Sequence, residues 1–267
     1  MSRRKLAITL GVKSSSNNWV LLTDASCCPN SEHWISMLAS NCNSSTDPVM
    51  GYCRYSDDTS MFISFNHLRL CYIMMLEAAN GSAYASCGYN LMFRKKIFMD
   101  GDGFRGSLKY IGGESDFLVN KYSNSTNTAL DIREDCCMIQ DCSSADKYQA
   151  RRILYMETRR HLRGNFHHRK YYNTDSWSLH LCFWFALCSS AYSLLSLNWV
   201  VLSISAISFI LPLLIRLLNA KRVIKQLNAH VALYKVIPYE FFSVFDNFRY
   251  ILKYKFSNKS DFISHKS

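Results

Sequence analysis

The sequence predicts an α/β domain followed by a pair of membrane helices. Three observations lead there. Between Ser176 and Ile215, about 40 residues, there is no Asp, Glu, Lys or Arg. A bilayer-spanning helix needs only ~20 apolar residues. Basic residues crowd both flanks of that stretch: Arg159, Arg160, Arg163, Arg169 and Lys170 before it, Arg216, Lys221, Arg222 and Lys225 after it. Ahead of it, short apolar runs alternate with helix-length segments, which is the order of an α/β fold.

The membrane stretch sets the frame for the rest. Cytoplasmic flanks collect Lys and Arg, so two basic flanks place both ends on one side and require an even number of crossings. Two helices with a turn near Ser196-Leu197-Asn198 fit the length. The expected location is therefore an inner (cytoplasmic) membrane, multi-pass, with the preceding domain facing the cytoplasm. The chain has 267 residues and a formal net charge of +11. Its excess charge concentrates at Arg151–Lys170 and Arg216–Lys225. That placement suits anionic lipid headgroups and argues against a nucleic-acid partner. The 11 cysteines include the adjacent pairs Cys27-Cys28 and Cys136-Cys137 but no C-x-x-C spacing. Free thiols in a reducing compartment are expected, and the ligand spacings do not suit zinc.

Arg4 to Ser15 reads as a short amphipathic helix. Trp19-Val20-Leu21-Leu22-Thr23 is a continuous apolar run, expected to be a strand buried on both faces, and it ends at Asp24. Ligands in open α/β sheets bind just past the carboxyl ends of strands, which makes Asp24 a candidate site residue. Pro29 starts a helix that Ser31 caps, with Trp34, Met37 and Leu38 on its buried face. Pro48 to Tyr55 reads as one strand, Phe62 to Glu77 as a helix, and Ala83 to Cys87 as a small, flexible lead into Gly88–Arg94. Gly101, Gly103, Gly106, Gly112 and Gly113 form a loop ahead of Glu114-Ser115-Asp116 and a helix through Asn120. Ala129 to Gln140 alternates like a strand, and Ala145 to Arg163 is a strongly basic helix entering the membrane. After the hairpin, Val231 to Phe256 is aromatic but interrupted by Pro238, Glu240, Asp246 and Arg249, as in an interfacial helix. The tail from Lys253 to Ser267 is polar and expected to fray.

Four motifs in order carry a resemblance: Asp24-Ala25-Ser26 after an apolar strand; Gly88-Tyr89-Asn90-Leu91 with Arg94; Gly113-Glu114-Ser115-Asp116-Phe117; and Glu157-Thr158-Arg159-Arg160-His161 before the membrane. The chain resembles the bacterial membrane-bound family-2 glycosyltransferases, inverting enzymes of the GT-A type. The resemblance implies a nucleotide sugar as donor, a glycan or lipid-linked acceptor, and Mg²⁺ or Mn²⁺ on the diphosphate. Hard cations take carboxylate oxygens, and an acceptor hydroxyl needs a carboxylate to remove its proton. Carried over by position, Asp24 matches the first Asp of the family's Asp-x-Asp, and Ser26 stands where the second, the main metal ligand, belongs. Glu114 matches the general base and Asp116 the acid two residues on. Arg160 matches the arginine of the family's Gln-x-x-Arg-Trp, with Arg159 beside it, Glu157 in place of the Gln and His161 in place of the Trp. A serine is a weak substitute for a carboxylate on a divalent cation, so weak metal binding is expected. Lys5 falls at the lysine just ahead of the first Asp. On that alignment the domain lacks the family's first strands and leaves an open sheet edge.

The sequence thus predicts an incomplete GT-A-like domain over 1–165, two transmembrane helices within 166–230, and an aromatic interfacial helix with a polar tail over 231–267. Two functions are expected from it. One is transfer of a sugar from a nucleotide sugar in cell-surface polysaccharide or glycan assembly. The other is non-catalytic: a truncated remnant, or a partner subunit whose sheet is completed by a second chain supplying N-terminal strands.

Overall fold

A computed structural model describes residues 2–142 and 144–263. The chain forms two units, Met1–Asn165 with Tyr250–Ser267, and Phe166–Arg249. The first is mixed α/β and the second helical.

In the α/β unit, helix α1 (Arg3–Ser14) precedes strand β1 (Trp19–Leu22). Strand β2 (Cys27–Pro29) and helix α2 (Trp34–Ala39) follow, then β3 (Val49–Gly51), β4 (Cys53–Tyr55) and helix α3 (Met61–Ala79). Strand β5 (Leu91–Arg94) runs into helix α4 (Lys95–Asp100), and a loop leads to α5 (Glu114–Tyr122). Strands β6 (Ala129–Asp131) and β7 (Met138–Gln140) precede helix α6 (Ala145–Thr158). One sheet has the order β1-β5-β3-β6, the other β2-β7-β4. Only the β3–β6 and β4–β7 pairs are parallel.

Besides Pro29, which ends strand β2 instead of starting a helix and leaves α2 to begin at Trp34 with no side-chain cap, three expectations change here. The apolar run at Trp19 is an edge strand, bonded antiparallel to β5, and its first three residues are half-buried. Pro48–Tyr55 is two strands in different sheets, and Ala129–Gln140 breaks likewise around a 3-10 turn at Glu134–Cys136. One side chain sits at both breaks. The buried Asn90 donates from Nδ2 to the carbonyls of Tyr52 (3.2 Å) and Cys136 (2.7 Å) and accepts at Oδ1 from Trp34 Nε1 (3.0 Å). Its amide satisfies the Cys136 carbonyl and adds a second donor to that of Tyr52, which also accepts from Met138 N at 3.0 Å. Gly51 is required beside it, because a Cβ there would lie 2.2 Å from Asn90 Nδ2. The third change is the tail. Lys259–Phe262 forms a 3-10 turn, Phe262 is buried, and its carbonyl accepts from Ile111 N at 2.9 Å. Residues 264–267 of the expected frayed tail lie outside the described residues.

The helical unit follows the sequence closely. Helix α7 (Asn165–Leu195) and helix α8 (Trp199–Gln226) meet at the turn 196–198, and both are long and apolar enough to cross a membrane. Of their most apolar windows, 22% and 6% of residues are buried. A core helix of a soluble protein would be mostly covered. Between the two helices, Ser205 Oγ stands 2.7 Å from Ser189 Oγ and 2.8 Å from Ser190 Oγ, the polar contacts that hold helices together where water is absent. Arg216 is matched rather than exposed: it bonds Glu240 of helix α9 (Val236–Phe256) at 2.5 Å and Ser178 at 2.6 Å. Pro238 lies in the first turn of α9, where a missing N–H costs nothing, so the helix runs unbroken. The 11 cysteines are all free.

The junction that places α5 is a close approach. Gly113 has φ 66°, and a Cβ there would lie 2.4 Å from Thr158 Cγ2. Gly113→Ala should therefore cost about 2–4 kcal/mol, the sum of left-handed strain and overpacking. Adding Thr158→Ser, which removes the clashing methyl, should recover part of that. Chemical unfolding of the detergent-solubilised chain measures both; a loss under ~0.5 kcal/mol for Gly113→Ala would contradict this packing.

Candidate functional site

The site is built where α1, the end of β1 and the start of α5 meet. Asp24 lies two residues beyond β1, and Ser26 follows in a tight turn: Ser26 N and Oγ both donate to Asp24 Oδ1, at 2.9 and 2.6 Å. The other oxygen, Oδ2, accepts from the Arg4 guanidinium. Arg4 Nε lies 3.7 Å from Glu114 Oε2, and its guanidinium sits 4.5 Å above the Tyr89 ring. One arginine thus joins the strand-end acid to the helix-start acid. Burial opposes the Asp24 charge, but the Ser26 and Arg4 bonds outweigh it and hold its carboxyl below the usual range.

Glu114 is fully buried, and neither of its carboxylate oxygens has a hydrogen-bond partner among the described residues. Its support is electrostatic. It occupies the first turn of α5, where backbone N–H groups favour an anion, and Lys5 is buried nearby. Lys5 Nζ donates to the carbonyls of Ser107 (3.0 Å) and Tyr110 (2.9 Å) and stands 4.2 Å from the Phe117 ring centre. Burial pushes Lys5 down to about 8, against the pull of Glu114 and Asp116.

Asp116, one helical step on, faces a cavity of about 170 Å³ that Arg151, Arg152, Tyr55, Tyr89 and His67 also line. Its Oδ1 accepts from Ser86 N (3.1 Å) and Ser86 Oγ (2.8 Å). Burial nevertheless raises Asp116 to about 6, and the Glu114 charge adds to the rise. Burial lowers His67 to about 4, so it is neutral at pH 7. Its Nε2 lies 2.7 Å from the Cys53 carbonyl, which assigns the proton to that nitrogen.

The Arg160 and His161 side chains form a separate group. Arg160 Nη1 donates to Tyr254 Oη at 2.8 Å, Tyr254 bonds Glu157, and His161 Nε2 lies 2.9 Å from Glu157 Oε1. His161 stacks on Tyr110 with ring centres 3.8 Å apart. Arg159 contributes its carbonyl to Tyr84 Oη at 3.1 Å, and its guanidinium lies 6.0 Å from the Tyr155 ring centre. The structure therefore brings Asp24, Ser26 and Glu114 together through Arg4, sets Asp116 in the adjoining cavity, and pairs Arg160 and His161 with Glu157 and the C-terminal segment.

The residues do not fit Mg²⁺ or Mn²⁺. Such ions need about six oxygen ligands, and here Asp24 already meets a guanidinium on one oxygen and two Ser26 donors on the other. The Ser26 hydroxyl in turn accepts from Arg151 Nη2 at 3.4 Å. No family model matches the chain, and no curated protein matches it. Reading the sequence by motif missed Arg4, Arg151 and Ser86. Arg151 was visible as part of a basic helix, but its charge reads equally well as facing lipid.

Asp116 carries a pH signature. Its folded-state pKa lies above the unfolded value, so the folded state prefers the protonated form and loses stability as pH rises from about 4 through 6. Asp116→Asn, which keeps the acceptor for Ser86, should stabilise the chain by about 1–2 kcal/mol at pH 7. The gain should vanish near pH 4. Denaturant titrations at the two pH values decide it; an equal effect at both would refute the burial argument.

Proposed function

We propose that this chain is a membrane-bound sugar transferase of the family-2 glycosyltransferase type, acting at the cytoplasmic face of a bacterial inner membrane in cell-surface glycan assembly. The observation that supports this most is the shared Arg4. It unites a strand-end acid with a helix-start acid beside a cavity that holds two arginines and Asp116. That is a layout for a substrate with an anionic leaving group. In this reading the donor is a nucleotide sugar and the acceptor a glycan or lipid-linked hydroxyl.

The chemistry needs a base, a nucleophile and a leaving group. The acceptor oxygen attacks the anomeric carbon from the face opposite the diphosphate. Its proton passes to a carboxylate, the new C–O bond forms, and the bond to the diphosphate breaks with its electron pair leaving on the nucleotide. Configuration inverts. The resemblance gives the base role to Glu114. The geometry favours Asp116, which faces the cavity with a pKa of about 6, close to the operating pH. Glu114, fully buried against Arg4, acts as the counter-charge that fixes the cation. No divalent ion enters these steps.

A second reading draws on a different observation. Strand β1 bonds β5 on one side only and is half-buried, so a strand from another chain could add to it, as edge strands invite. The protein would then be a subunit that completes a site with a partner.

Turnover of radiolabelled nucleotide sugars by membranes carrying the wild-type chain tests the first reading. Asp116→Asn should lower the rate by a factor of about 10²–10⁴. Turnover that is unchanged in that variant would remove Asp116 as the base. No turnover by the wild type across a panel of donors would favour the subunit reading.

A further inference from the structure

The cavity beside Asp116 contains an unbalanced charge. Arg151 lies on α6 and lines the cavity. Its Nη1 is buried without a hydrogen-bond partner among the described residues. Its Nη2 reaches the Ser26 hydroxyl at 3.4 Å, and its guanidinium lies 5.8 Å from the Tyr55 ring centre. No carboxylate forms an ion pair with it among the described residues. The titratable groups around it are neutral at pH 7: burial keeps the phenol of Tyr55 and the thiol of Cys142 protonated, and His67 is unprotonated on one ring nitrogen. Arg152 and Asp116 also line the cavity.

Arg151 as a whole is half-buried, but leaving its buried Nη1 without an acceptor is costly. Folds keep such groups where a ligand supplies the missing charge. Arginine presents a planar fork of donors that matches phosphate oxygens two at a time. The cavity, about 170 Å³, exceeds the space of several waters at ~30 Å³ each. Nearby, the Asp24–Ser26 turn is already saturated by Arg4 and Arg151, so the cationic role a divalent metal would play falls to guanidinium groups.

We infer that the cavity binds a phosphate or diphosphate group without a metal ion, with Arg151 as its principal anchor. The inference rests on the transferase reading for the identity of the natural ligand but not for the binding itself. Asp116 lines the same cavity, so a bound diphosphate would share that space with its carboxylate.

Calorimetry on the detergent-solubilised full chain, with EDTA throughout, tests this with inorganic pyrophosphate and a uridine diphosphate sugar as probes. Pyrophosphate should bind the wild type without metal. Arg151→Gln should weaken it at least tenfold, while Arg151→Lys, which keeps the charge but not the fork, should weaken it less. Arg151→Gln should unfold at the same temperature as wild type or higher, because a buried guanidinium nitrogen without an acceptor is gone; if it fails to fold, Arg151→Lys alone still reports the loss. Absence of pyrophosphate binding overturns the inference, as does affinity within twofold of wild type in both variants. Two outcomes separate it from the transferase reading. If pyrophosphate binds without metal but the nucleotide sugar binds no tighter, the phosphate site stands and the donor assignment fails. If the nucleotide sugar binds only when Mn²⁺ replaces EDTA, the donor assignment stands and the metal-free site fails.

Discussion

Glu114 is the constraint from which the rest of the α/β unit follows. A fully buried carboxylate with no hydrogen bond to either oxygen is stable only if cations and dipoles surround it. The chain supplies these from two directions. Adjacent residues of α1 provide Arg4 on one side and Lys5 on the other, and α5 presents its N-terminal turn from below. Arg4 then has capacity left for Asp24, which fixes the end of β1. Lys5 donates to the carbonyls of Ser107 and Tyr110, which orders the glycine-containing loop. Helix α6 closes the arrangement by packing Thr158 against Gly113.

Several local features of this region oppose stability. Asp116 is held in an environment that disfavours its charge, Lys5 is buried, and Arg151 has a donor without an acceptor. Proteins concentrate such violations at sites of function and compensate for them elsewhere. Some polar groups in the sheets are well matched. Asn90 satisfies carbonyls from two strands and the Trp34 indole, and Asp131 is held by Arg133 and Asn41.

The apolar helical hairpin was the most legible feature, because its signal depends only on the absence of charge over a long run. Its turn at 196–198 falls where Ser196-Leu197-Asn198 suggested. Helices α1, α3, α5 and α6 were legible from apolar spacing and from the glycines that precede α5. The strands were less so. Pro48–Tyr55 and Ala129–Gln140 each read as one strand, since nothing local marks the break; it comes from Asn90, distant in sequence, donating to both. Trp19–Leu22 read as central because its residues are apolar, yet apolarity does not report how many neighbours a strand has. Asp24 and Glu114 stand out in the sequence by position, at a strand end and a helix start, and the structure links them through Arg4. The cations were not legible: an arginine in a basic segment looks the same whether it stays on the surface or lines a cavity, as Arg151 does.

A double-mutant cycle tests the central claim, that Arg4 joins the helix-start acid to the strand end. Arg4→Met and Glu114→Gln would be made singly and together, and unfolding free energies measured for the full chain in detergent. The account predicts non-additivity on the order of 0.5–2 kcal/mol, as for groups in contact where one partner, Arg4, is partly exposed to water. Effects that add within about 0.5 kcal/mol would mean that the two side chains act independently, and that Asp24 and Glu114 do not belong to one site.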